Sequence, residues 1–140
     1  MPENSAFLKG LTPEAKSALG GDMVEIKRFP FRVGRESRMF APPSPVPDSR
    51  RRSDSTPNND LYLIELGPLL NVSRVHFLID RQVSGYLLVD RGSACGTLVE
   101  GEHVGERKKG GSRPLHHSDV IIVGTSESRY VFKFLILDKP

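Results

Sequence analysis

Hydrophobic and polar residues alternate with a period of two along much of the chain after Met23. Val24 and Ile26 are set against Glu25 and Lys27, and Phe29, Phe31 and Val33 continue the beat. Such alternation is the mark of a strand with one buried face. Further runs rich in Val, Ile, Leu, Phe and Tyr lie at 62–66, 75–80, 86–90, 97–99, 120–123 and 130–137. Clusters of Gly, Pro, Ser or Asp separate them, which marks turns. Many short strands joined by turns predict an all-β fold, a sandwich or barrel, whose loops gather at its ends. In the last run only Lys133 is polar between Val131 and Leu137. That predicts a strand buried on both faces, or one whose outer face meets a helix.

Two stretches depart from this pattern. Thr12-Pro13-Glu14 opens a short helix: Thr12 can cap it, Pro13 fits its first position, and Gly20-Gly21 ends it. A helix so short has to dock on something to be stable. Residues 41–60 hold five prolines and almost nothing apolar. Such a segment cannot bury enough to offset its ordering entropy, so it is expected to be a flexible loop between two strands. The expected organisation is an N-terminal extension with its helix at 1–22, a β domain at 23–137 that carries the 41–60 insertion, and a tail at 138–140.

Composition narrows the class. The chain's 140 residues suit one domain with a core of its own. The single cysteine, Cys95, forms no disulfide within the chain and suits a reducing compartment. No apolar run approaches the roughly 18 residues of a membrane span, and Met1 to Gly10 lack the apolar stretch of a signal peptide. The expectation is a cytoplasmic protein with no membrane partner. Twenty Lys and Arg against 17 Asp and Glu leave a net charge of +3, which suits an acidic partner. Nucleic acid is disfavoured, because there is no Trp and no interleaving of aromatic with basic residues. The pair His116-His117 has no second Cys and no H-x-x-x-H spacing beside it, so neither a metal nor another cofactor is expected.

The chemistry gathers around Asn71-Val72-Ser73-Arg74-Val75-His76. A hydroxyl donor, a permanent cation and the N–H groups of a turn make an anion pocket. Val33-Gly34-Arg35-Glu36 lies upstream and Asp90-Arg91-Gly92-Ser93-Ala94-Cys95-Gly96-Thr97 downstream. Read in order as G-R, S-R-x-H and D-x-x-S-x-x-G-T, each near a strand end, these stretches resemble the forkhead-associated (FHA) domain, a reader of phosphothreonine peptides. Val99-Glu100-Gly101 and Leu115 to Gly124 resemble the family's later turns, so the likeness runs from about Met23 to Leu137.

The resemblance implies an FHA-type β-sandwich of two antiparallel sheets with no enzymatic activity. It implies that Arg35, Ser73 and Arg74 hold the phosphate, and that Gly34 and His76 support the loop. It further implies that Ser93, Ala94, Cys95, Gly96 and Thr97 meet the bound peptide. A phosphothreonine-containing protein is the expected partner, in a signalling role. The chain's own loop, phosphorylated at Thr56 or Ser53, is a second candidate ligand. One departure stands out: Cys95 occupies the place of the family's usual Asn, and a thiol cannot copy an amide's paired donor and acceptor. That departure supports an alternative, a degenerate FHA fold that docks or assembles without phosphate. A remoter alternative is a cysteine hydrolase in which Cys95 works with His76 or His103.

Overall fold

The structure, a computed structural model, describes residues 4–36, 59–65, 70–105 and 109–138. The chain runs β1 (Asn4–Gly10), α1 (Pro13–Leu19), β2 (Met23–Ile26), β3 (Phe31–Arg35) and β4 (Leu61–Leu63). It continues through β5 (Phe77–Gln82), β6 (Gly85–Asp90), β7 (Thr97–Val99) and β8 (Glu102–Val104). The last strands are β9 (Gly111–Leu115), β10 (Val120–Val123) and β11 (Val131–Asp138). One sheet has the order β2-β1-β11-β10-β7-β8 and the other β4-β3-β5-β6-β9. The pairings are antiparallel except β3 with β4, which run parallel with Arg35 opposite Leu63.

The predicted alternation places the core. Phe77, Ile79 and Leu88 of one sheet and Ile121, Val123, Phe132 and Phe134 of the other are fully buried. The ring of Tyr86 meets Phe134 edge-on at a 5.2 Å centroid distance and lies 5.6 Å from Phe29. Burying side chains of this size stabilises the fold by about 1.5–3 kcal/mol each. The run from Met23 to Val33 divides between the sheets: β2 joins one and β3 the other, with a cis peptide at Phe29-Pro30 between them. Strand β11 has one core face, since Val131, Lys133 and Leu135 are only half-buried. The helix packs chiefly on β1, β4 and β2 rather than on β11.

Two strands differ from the sequence pattern. Residues 4–10, expected within an N-terminal extension, form β1, hydrogen-bonded between β2 and β11 along its length. Ala6 and Leu8 give it a buried face too small to stand out as a periodic run. Gly111, Ser112 and Arg113, which lie outside every predicted strand run, begin β9, whose pairing with β6 overrides their weak strand preference. Pro114 is tolerated because β9 is the outermost strand, where a missing N–H can face outward. The helix ends as predicted. Thr12 Oγ1 accepts the Ala15 N–H at 3.2 Å, and Gly20 closes α1 at φ 76°.

The 41–60 insertion lies outside the described residues apart from Asn59 and Asp60, so Ser53 and Thr56 are not described.

Candidate functional site

Three chain segments meet around Ser73: the end of β3, the turn before β5 and the loop between β6 and β7. The Arg35 N–H donates to the Ser73 carbonyl at 2.9 Å. Ser73 donates its own N–H to His76 Nδ1 at 2.9 Å. Its Oγ accepts the Ala94 N–H at 3.0 Å. A hydroxyl whose oxygen is so engaged keeps its proton to donate outward. Ser73 and Arg35 are half-buried and Arg74 is exposed. Among the described residues neither guanidinium has a hydrogen-bond or ion-pair partner. These contacts bring two arginines and a serine hydroxyl into adjoining turns, a set of donors that suits a multiply charged oxyanion.

Gly34 explains how the turn comes so close to β3. A Cβ there would lie 2.0 Å from the Arg74 carbonyl oxygen and 2.6 Å from Asn59 Nδ2, so only glycine fits. The buried Asn59 is a strut that sequence reasoning missed. Its Nδ2 donates to the Arg74 carbonyl at 2.7 Å, and its Oδ1 accepts from Arg91 Nη1 at 3.2 Å. Next to it, Arg32 and Asp60 form an ion pair at 3.1 Å that ties the start of β4 to β3. An Asn at the end of a long polar stretch carries no sequence signal for such a role.

His76 is fully buried and ties two loops together. Because Nδ1 accepts from Ser73, the proton sits on Nε2, which donates to the Gly96 carbonyl at 2.7 Å. Burial lowers the imidazole's pKa, outweighing the hydrogen bond to Gly96 and the nearby Asp90 and Glu65, so the ring is neutral in the folded state. The sign of the pH dependence follows. In the unfolded chain the ring takes up a proton near its ordinary pKa of about 6.5, before the folded state does. The contribution to stability is whole above that value, is lost as pH falls below it, and levels off under the folded pKa. Urea denaturation should show stability falling as the pH drops below about 6.5, and a His76→Gln variant should flatten that slope. An unchanged slope in the variant would remove His76 as its source.

The loop after β6 is built around the Asp90 carboxylate. Oδ1 accepts the N–H groups of Gly92 and Ser93 at 3.0 and 2.9 Å. Oδ2 accepts Ser93 Oγ at 2.6 Å and Thr97 Oγ1 at 2.9 Å. Ser93 Oγ in turn accepts the Gly96 N–H at 2.9 Å. Ser93, Gly96 and Thr97, expected to meet the peptide, are buried and shape the loop from inside. Ala94 is exposed and Cys95 half-buried, so these two form the loop's outer surface. The Cys95 thiol donates to the Leu70 carbonyl at 3.6 Å. Both nitrogens of His76 are taken by backbone groups, so it offers that thiol no base. Among the described residues no group of three or more His, Cys, Asp or Glu is arranged to hold a metal ion. No helix among them is long and apolar enough to cross a membrane.

These motifs fall inside one family match: the model of the FHA domain matches residues 31–124. The chain belongs to the FHA domain family. FHA domains are phosphopeptide-binding interaction modules, generally without enzymatic activity. The fold of this FHA domain recurs in solved structures. The kinase-interacting FHA domain of the kinase associated protein phosphatase of Arabidopsis is 22% identical, with a TM-score of 0.63. That alignment covers 100% of this chain and 99% of the other. The FHA domain of an Arabidopsis thaliana hypothetical protein is 19% identical, with a TM-score of 0.64 and coverage of 97% and 88%. Mycobacterium tuberculosis EmbR, solved with a low-affinity phosphopeptide, is 20% identical with a TM-score of 0.59. There the match covers 97% of this chain and 25% of EmbR, so the chain spans a quarter of that protein's length. No curated protein matches the chain as a relative.

Proposed function

We propose that this FHA domain captures phosphothreonine segments of partner proteins, in a phosphate-dependent signalling interaction without catalysis of its own. The observation that supports the reading is the direct backbone bond between Arg35 and Ser73, which joins the two turns that carry the cation and the hydroxyl. Arg35, Ser73 and Arg74 hold the phosphate, whose roughly two negative charges and three acceptor oxygens match two cations and a hydroxyl. Gly34, Asn59 and His76 keep the turn in place, and Ala94 and Cys95 face the peptide. A cytoplasmic, reducing setting suits the lone thiol at the site.

The thiol of Cys95, committed to Leu70, favours the second reading, docking that ignores phosphate. Titrating one threonine peptide with and without its phosphate, by calorimetry, separates the two. The phosphorylated form is expected to bind at least tenfold tighter, since each hydrogen bond to a charged group contributes about 1.5–3 kcal/mol. Equal binding by both forms would leave the docking reading in place of this one.

A further inference from the structure

A groove of about 400 Å³ lies between α1, β4 and the turn joining β10 to β11, and Asn71, two residues before Ser73, also lines it. Its walls are as polar as they are apolar, the apolar part coming from Ala18, Tyr62, Ile64 and Tyr130. Ile64 is 41% exposed, unusual for a large aliphatic side chain beside a strand. The Tyr130 ring next to it is buried, its hydroxyl donating to the Ile64 carbonyl and accepting the Ile64 N–H at 3.0 Å. Among the described residues the rim carries Glu14, Glu65 and Glu127 against one cation, Arg129, which lies 3.9 Å from Glu14. Among the described residues, Glu127 and the second carboxylate oxygen of Glu65 are left for a ligand. Glu65 also touches the neighbouring pocket: its Oε1 accepts the Val72 N–H at 2.7 Å, one residue before Ser73.

We propose that this groove takes an arginine or lysine side chain of the same phosphothreonine segment; the inference rests on the reading above. An aliphatic stem lies along Ile64 and Tyr130 while its cationic head reaches the rim carboxylates, the arrangement long basic side chains adopt over apolar surface. The two adjoining sites have opposite sign. Phosphate is repelled from the groove, and a basic residue is repelled from Arg35 and Arg74, so the pair orients the segment as well as binding it. The domain would thus read a phosphothreonine with a basic residue at a fixed place in its flank.

The test uses phosphothreonine peptides of alanine background, each with one arginine at a different flanking position. One position is expected to tighten binding about fivefold over the all-alanine peptide, the scale of a partly exposed ion pair. In a Glu127→Lys variant the two peptides should bind equally; their ratio cancels any change in phosphate binding. Glu127 lies in an exposed turn, so the fold survives the change. The inference falls if no position gains, if the gain persists in the variant, or if leucine at that position gains as much as arginine. Failure of every phosphopeptide to bind would overturn the broader reading along with this one, whereas phosphopeptide binding without the arginine gain overturns this inference alone.

Discussion

Arg35→Ala should remove phosphate-dependent binding while leaving the fold intact. The side chain is half-buried at the end of β3, and none of the described residues leans on its guanidinium. Its loss should change stability by no more than about 0.5 kcal/mol. Binding is another matter. A fork holding two phosphate oxygens contributes about 3 kcal/mol, on the order of a hundredfold in Kd. Arg35→Lys keeps the charge and loses the fork, so it should fall between the parent and alanine. Calorimetric titration with a phosphothreonine peptide, together with thermal melting of each variant, reads both effects. Undiminished affinity in Arg35→Ala would end the assignment of this pocket to phosphate.

Asp90→Ala should do the reverse and strike the fold first. The carboxylate is 2% exposed and accepts four hydrogen bonds, from the Gly92 and Ser93 N–H groups and from the hydroxyls of Ser93 and Thr97. Removing it leaves those donors without their acceptor around a cavity. Part of the cost is recovered because a buried charge no longer has to be desolvated. The net loss is expected to be about 3 kcal/mol, set by the stranded donors. The Gly96 carbonyl that receives His76 Nε2–H sits in the same loop, so the turn carrying Ser73 should loosen with it. Urea denaturation would report the loss directly. A variant within about 1 kcal/mol of the parent would mean that the loop holds its shape without Asp90.

The sequence was most informative where side-chain type and strand period agree. The runs around Phe77, Leu88, Ile121 and Phe132 announce their buried faces because β-branched and aromatic residues recur every second position. Strand β1 stayed hidden because Phe7, between the buried Ala6 and Leu8, breaks the polar–apolar alternation, and β9 because Gly, Ser and Pro take strand geometry there only through β6. At the site, the meeting of the Arg35 and Ser73 turns was legible, since each lies in a short polar pattern at a strand end. The division of labour in the next loop was not. A serine that touches a ligand and one that braces a carboxylate look alike in sequence, and only burial distinguishes Ser93 from an exposed contact. Asn59 was invisible for a related reason: its two hydrogen bonds join segments 15 and 32 residues away.

The ring of Pro114 has a consequence for the company this module keeps. A neighbouring chain laid against the open side of β9 would find a pyrrolidine where it needs a hydrogen-bond donor. Edge-to-edge growth of the sheet is discouraged on that flank, guarding it against aggregation.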